Sequence, residues 1–263
     1  MLLAIVIPIF NEARLLRACI DRLVATPPPA GCDRTVVLVD DGSTDGSREV
    51  VQSYRGVRGF EVVIHGNNHG KGASLRTGFE AALRLGAGVV LVHDADLEYD
   101  PADHAAACDP VLRGQADVVI GTRFARGKPD GSTRFHRLVN ALLTALSNAV
   151  TGLRVSDMEC CTKVFSAAVL RRVRIEEDRF GVEPELVAKV ARLRLPEDSG
   201  RTRPVRVAEV PVSYAGRDRS QGKKIGWSDG VRALWCIARY GLARACDRDP
   251  LGVVEQPRRG GSD

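Results

Sequence analysis

The chain has 263 residues, is 44% hydrophobic and carries a formal net charge of +5, so it can bury one large α/β core, or two modest ones, without a disulfide scaffold. Its seven cysteines (Cys19, Cys32, Cys108, Cys160, Cys161, Cys236 and Cys246) are scattered, with no Cys-x-x-Cys pair, which speaks against a disulfide frame or zinc site and favours a reducing, cytoplasmic compartment. Only 5% of residues are aromatic and none interleaves with the basic C-terminal loop as a stacking platform, so nucleic acid is not an expected partner.

Leu2 to Ile7 reads as a buried first strand ended by Pro8, which cannot donate in a ladder. The run is too short for a membrane span and lacks the basic start and cleavage site of a signal peptide. Glu12 to Val24 has helical spacing through Leu15, Leu16, Cys19, Ile20 and Leu23, and Pro27-Pro28-Pro29 stops it. Val36 to Val39 is a second strand that ends in Asp40-Asp41, and the Gly42 to Ser47 turn can cap the next helix. Phe60 to Ile64 is a third strand, leading into the glycine-bearing segment His65 to Phe79. Glycines there let a backbone approach a ligand closely, and the following helix offers free amides. Lys71 and Arg76 add charge suited to a diphosphate, although no P-loop spacing is present.

Val89-Val90-Leu91-Val92-His93-Asp94-Ala95-Asp96-Leu97-Glu98 turns from apolar to acidic. Four aliphatic residues suit a strand buried on both faces, and ligands of open α/β sheets bind at the carboxyl ends of strands. If the chain stays extended, residues two apart share a side, so Asp94 and Asp96, joined by Glu98, can converge on one ion. Hard carboxylate oxygens suit Mg²⁺ or Mn²⁺. The opposing reading of a bare Asp-x-Asp is a solvated strand-end turn before Pro101. Ala102 to Arg113 is a helix opened by Pro101, and Asp117 to Gly121 is another strand, followed by Thr122 and Arg123. Repeated strand–helix alternation predicts a mostly parallel sheet with one site at its edge.

Phe135, Leu138, Leu142, Leu146 and Leu153 recur at helical steps, an amphipathic pattern that suits core packing or a membrane-facing side. Asp157 to Phe165 reads as a loop or short strand, Phe180 to Leu186 leads a helix to Leu195, and Arg206 to Val212 suits an edge or antiparallel strand. Gly216 to Gly226 is a basic loop, Val231 to Leu242 a last helix, and residues 247–263 form a polar tail expected to be disordered. No stretch is apolar for long enough to span a membrane.

Pro8-Ile9-Phe10-Asn11-Glu12, Asp40-Asp41-Gly42-Ser43-Thr44-Asp45, Asn68-His69-Gly70-Lys71-Gly72 and Asp94-Ala95-Asp96 occur in the order seen in family 2 glycosyltransferases, which the chain resembles. The resemblance implies a GT-A nucleotide-diphospho-sugar transferase fold: one mixed, mostly parallel sheet flanked by helices. Gly121-Thr122-Arg123-Phe124, Arg137 with its amphipathic helix, Asp157 to Phe165 and the basic loop are similar to the polyprenyl-phosphate (dolichol-phosphate) mannose or glucose synthases. That likeness implies transfer of a hexose from GDP-mannose or UDP-glucose to a polyprenyl phosphate, with Mg²⁺ or Mn²⁺ as cofactor. The catalytic domain then spans 1–246, with a nucleotide-sugar and metal half (1–125) and an acceptor half (126–246).

The resemblance assigns the base and ribose to Pro8, Phe10, Glu12, Asp41 and Lys71; with Asp94, Ala95 and Asp96 these are the expected nucleotide-sugar residues, and the strand-end carboxylates Asp94 and Asp96, joined by Glu98 if the chain stays extended, are the expected metal ligands. Asp94, Asp96, Arg123 and Arg137 are the expected catalytic residues. Arg123, Arg137, Arg219 and Lys223 are expected to hold the acceptor phosphate, since arginine forks suit it. A phosphate acceptor is already ionised near neutral pH, so inverting transfer needs no base. A hydroxyl acceptor would need one, with Asp157 or Glu159 available. A non-catalytic nucleotide-sugar binding module is the remaining alternative. Location is expected to be cytoplasmic, with peripheral contact on the membrane face through the amphipathic helix and basic end.

Overall fold

The computed structural model describes residues 1–125, 134–216 and 227–242. The expected basic loop, with Arg219 and Lys223, and the expected disordered tail lie outside the described residues. One seven-stranded sheet dominates, in the order β3-β2-β1-β4-β6-β5-β9. Strands β1 (Leu2–Ile9), β2 (Asp33–Asp40), β3 (Phe60–Ile64) and β4 (Val89–Val92) run parallel. Strand β6 (Lys163–Ser166) lies antiparallel between β4 and β5 (Val118–Thr122). The mixed, mostly parallel sheet expected from the sequence is therefore present.

Alternation along β1 divides the core in two. Ala4 and Val6 face a layer containing Leu75 and Phe79 of α3 (Lys71–Arg84), Leu143 of α5 (Arg134–Thr151), Leu186 of α7 (Val182–Arg192) and Ile237 of α8 (Trp227–Leu242). Leu3, Ile5 and Ile7 face Leu16, Ile20 and Leu23 of α1 (Ala13–Ala25), Val51 of α2 (Ser47–Gln52), and Ala107 and Val111 of α4 (His104–Leu112). Helix α3 lies close on β1: a Cβ at Gly78 would come within 2.3 Å of Val6 Cγ1. A short helix, α6 (Ala167–Leu170), follows β6.

One local expectation needs correction. Pro8 does not end β1; the strand continues to Ile9. Ile9 O accepts from Asp41 N on the β2 side, whereas Pro8 faces the β4 side, where pairing stops at Val6–Val92, so its missing N–H interrupts no ladder. Strand β9 (Val207–Pro211) is the edge strand that was one of the two expected readings, and it runs parallel to β5. A small hairpin of β7 (Arg194–Pro196) and β8 (Thr202–Pro204) was not anticipated. Arg203, with both guanidinium nitrogens on Asp117 at 2.6 and 2.7 Å, ties it to the start of β5.

Candidate functional site

The carboxyl ends of β1, β2, β4 and β5 meet along one edge of the sheet, and their loops stitch one another in place. Ser43 Oγ accepts from Asn11 N at 3.0 Å, Asn11 Oδ1 from Thr44 N at 2.8 Å, and Ser47 Oγ from Glu12 N at 2.8 Å. Asn11 takes φ +53°, a left-handed conformation that asparagine tolerates better than most residues. Phe10 and Glu12 lie half-buried in this loop. Asp41 is buried and committed to the glycine loop. Its carboxylate accepts from Gly70 N at 2.7 Å, Asn68 Nδ2 at 3.0 Å and His69 N at 3.1 Å, and it bonds His65 Nδ1 at 2.8 Å. A carboxylate offers about four lone-pair positions, so Asp41 shapes the loop that presents Lys71.

Lys71 begins α3 and reaches across the sheet edge. Its ammonium lies 2.9 Å from Asp94 Oδ1 and 3.3 Å from Glu183 Oε1, and donates to Cys161 Sγ at 3.0 Å. Burial alone would lower the Lys71 pKa, but Asp94, Cys161 and Glu183 more than reverse this and hold it well above its ordinary value. Burial likewise pushes Asp94 up, while Lys71 and the Cys161 thiol outweigh it and leave the carboxyl below its ordinary value. Cys161 is held well above the ordinary thiol range by burial and by Asp94, and burial pushes Cys160 up to about 12; neither offers a thiolate nucleophile.

The stretch after β4 turns sharply. The strand ends at Val92, Leu97 takes φ +63°, and Asp96 Oδ1 accepts from Glu98 N at 3.2 Å. The extended geometry that would aim Glu98 with Asp94 and Asp96 is absent. Glu98 Oε2 instead accepts from Tyr214 Oη at 2.8 Å, and no group of three His, Cys, Asp or Glu side chains is placed to hold a metal among the described residues. Asp94 and Asp96 still fit a hard divalent ion, which uses one or two carboxylates and takes other ligands from substrate phosphates. The Lys71 ammonium against Asp94 shows that this carboxylate is presented to a cation.

Arg123, just past β5, is held by Asp157: Nε and Nη2 each donate at 2.7 Å, and Arg123 N donates at 3.1 Å. Asn140 of α5 adds a fourth bond to Asp157 at 3.1 Å. The guanidinium also lies 5.2 Å from the Tyr214 ring centroid. Arg137, on the first turn of α5, is half-buried and engaged with a neighbour. Asp157 is thus spent on Arg123. Glu159 differs: Oε1 is buried with no hydrogen-bond partner among the described residues. Burial, then the charge of Glu183, raise its pKa to about 7 against the pull of Lys163 and Arg123.

Sequence reasoning missed Glu183 and Lys163. Lys163, 1% exposed at the start of β6, pairs with Glu183 Oε2 and donates to Met158 O at 3.2 Å. Glu183 therefore joins two lysines, one of them at the site. Acidic residues in the first turn of α7 suit the helix dipole, which masks this second role in a sequence.

The family model for glycosyl transferase family 2 matches residues 4–174. The chain belongs to that family. This family 2 chain is 27% identical over 224 residues to the undecaprenyl-phosphate 4-deoxy-4-formamido-L-arabinose transferase of Aeromonas hydrophila, covering 84% of this chain and 62% of that protein. It is 25% identical over 223 residues to the dodecaprenyl-phosphate galacturonate synthase of Rhizobium johnstonii, with 84% and 61% covered. It thus spans about three-fifths of the length of these relatives. Among solved structures, glucosyl-3-phosphoglycerate synthase from Mycobacterium tuberculosis, in complex with Mn²⁺, uridine diphosphate and phosphoglyceric acid, superposes with a TM-score of 0.65. At 18% identity, covering 91% of this chain and 78% of that one, the likeness concerns the fold, which is that of GT-A glycosyltransferases.

Proposed function

We propose that this family 2 glycosyltransferase transfers a hexose, with inversion, from GDP-mannose or UDP-glucose to a polyprenyl phosphate. The observation that carries the reading is the pairing of two cationic stations along one sheet edge. Lys71 stands beside Asp94, and Arg123 is pre-oriented by Asp157. The names of the two polyprenyl-phosphate relatives support the same acceptor class. In this reading residues 1–125 bind the donor and 126–246 the acceptor, within one catalytic domain spanning 1–246.

Pro8, Phe10, Glu12 and the backbone around Ala95 receive the nucleotide, while Asp41 works through the loop it pins. Lys71 leaves Asp94 for the donor diphosphate, where its ammonium meets the charge that grows as the anomeric bond breaks. Asp94 and Asp96 would hold Mg²⁺ or Mn²⁺, whose chemistry there is neutralisation of the leaving diphosphate. Arg123 and Arg137, with Arg219 and Lys223, clamp the acceptor phosphate so that its oxygen faces the anomeric carbon. That oxygen forms the new bond as the bond to the nucleoside diphosphate breaks. The acceptor is ionised near neutral pH because the second phosphate pKa is about 6, so no protein base is required.

A peripheral membrane position suits such an acceptor. Phe135, Leu138 and Leu142 on α5 are 65–70% exposed, and Val231, Leu234 and Trp235 on the adjoining α8 are also exposed, with Arg134 beside them on α5. No helix among the described residues is long and apolar enough to cross a membrane. A second reading, transfer to a hydroxyl acceptor, is favoured by one observation: Glu159 Oε1 is buried with no hydrogen-bond partner among the described residues, and burial raises this carboxyl towards the range of a general base.

The test is incubation of the protein with Mn²⁺ or Mg²⁺, a short polyprenyl phosphate and radiolabelled GDP-mannose or UDP-glucose in parallel. Label entering the organic phase with one donor is the expected result. Nucleoside diphosphate released without organic-phase label would move the acceptor to the hydroxyl class, and the absence of both signals would point to a different donor or to a binding module.

A further inference from the structure

We infer that Glu177 is a positioning residue through which helix α8 sets the donor loop around Lys71; the inference rests on the donor reading above. Residues 175–178 run directly beneath the start of α3. Ala73 N donates to Asp178 O at 3.1 Å, Arg76 Nε to Ile175 O at 2.9 Å, and Arg76 Nη2 to Asp178 Oδ1 at 2.7 Å. The fit leaves no room for a side chain at Gly70 or Gly72. A Cβ at Gly72 would sit 1.9 Å from Glu177 O, and one at Gly70 would sit 2.4 Å from Asp178 O. The backbone of Glu177–Asp178 therefore defines where Gly70-Lys71-Gly72 can lie.

The Glu177 side chain faces the other way, into α8. It is 5% exposed and accepts from Arg232 Nε at 2.9 Å, Arg232 Nη2 at 3.0 Å and Tyr240 Oη at 2.9 Å. Its seat is shaped to the carboxylate, because a Cβ at Gly181 would meet Glu177 Oε2 at 2.7 Å and Cys236 Sγ at 2.8 Å. Glu185 fixes the same segment from α7, accepting from the amides of Glu176 and Glu177 at 2.6 and 2.9 Å. A folding role alone would explain the buried carboxylate. It would not explain why the carbonyl of the same residue abuts the loop that places Lys71 on Asp94. One residue thus joins a helix with an exposed apolar face to the donor loop.

The test uses Glu177→Gln, Arg232→Ala and Tyr240→Phe in the full chain, with Mn²⁺ and either UDP or GDP as the probe in calorimetric titration. Glu177→Gln and Arg232→Ala should weaken nucleotide binding about tenfold, within the range by which residues that touch no ligand modulate a site, and Tyr240→Phe should weaken it less. Combining the first two should add little, since they belong to one network. Amide hydrogen exchange across residues 70–74 should quicken in both single variants. Arg203→Ala, which breaks an unrelated ion pair with Asp117, controls for general destabilisation and should alter neither readout. Unchanged nucleotide affinity in both variants, with binding intact in the wild type, overturns the inference alone. Accelerated exchange at 70–74 together with no binding of UDP or GDP by the wild type would instead retain the positioning role and refute the donor reading. If Glu177→Gln fails to fold, the half-exposed Arg232 decides the matter by itself.

Discussion

At the scale of single residues, Asp94 and Asp96 occupy one turn after β4, and Asp94 already carries a cation, Lys71, at 2.9 Å. Replacing either aspartate by asparagine should lower turnover by about 10²–10³, read from initial rates at saturating donor and acceptor; near-wild-type turnover would refute their assigned role. Asp157 calls for different treatment. Because it holds Arg123 through three of its four bonds, loss of activity in Asp157→Ala does not identify a base. Glu159 is the more informative carboxylate. Burial and Glu183 raise it to about 7, so the folded chain binds more protons than the unfolded one between the ordinary carboxyl range and that value. Stability therefore falls as pH rises through this window. Glu159→Gln, neutral throughout, should gain on the wild type by on the order of 5 °C in Tm between about pH 5 and pH 8. Melting curves whose difference stays constant with pH would refute the assignment of a raised pKa.

At the scale of elements, α5 has one side buried in the core and an apolar side left exposed. Leu143, Thr144 and Ser147 are buried, whereas Phe135, Leu138, Leu142 and Leu146 recur at steps of three and four along the exposed side. The sequence pattern announced the helix but left open which side the leucines serve, because core packing and membrane contact demand the same periodicity. Packing against α7 and α8 settles it for Leu143 alone. Exposed substitutions cost little stability, typically within about 0.5 kcal/mol. Leu138→Ser with Leu142→Ser should thus fold normally, yet lose about tenfold or more in flotation with anionic vesicles, since each buried leucine contributes about 1.5–3 kcal/mol. Equal flotation would remove α5 from the membrane-facing surface.

At the scale of the whole molecule, the sheet is continuous only because β6, a four-residue strand opening on Lys163, inserts antiparallel between β4 and β5. Its buried first residue, a lysine, is tolerated because Glu183 and the carbonyls of Met158 and Cys160 surround the ammonium. Lys163→Met should destabilise the chain by about 3–5 kcal/mol, the cost of stranding one partner of a buried pair, measured by urea denaturation. A loss under about 1 kcal/mol would mean that Lys71 alone suffices to compensate Glu183.

The parallel strands β1 to β5, the helices between them and the acidic strand ends were legible because local periodicity and strand-end composition encode them. Nearly every residue of Leu2–Ile9 and Val89–Val92 is buried, and such runs admit few readings. The four motifs that carry the family resemblance lie at the ends of β1, β2, β3 and β4. What the tertiary structure alone decided is how each charge is used. Asp41 is spent on the glycine loop, Asp157 on Arg123, and Glu98 on Tyr214, while Glu183 and Lys163 enter the site unannounced. These outcomes depend on partners 17 to 116 positions apart in the chain, from the Asn140 bond to Asp157 up to the Tyr214 bond to Glu98. The parallel course of β9, too, follows from its pairing with β5. A local pattern fixes which residues are buried; only the meeting of distant segments fixes which carboxylates are left to do chemistry.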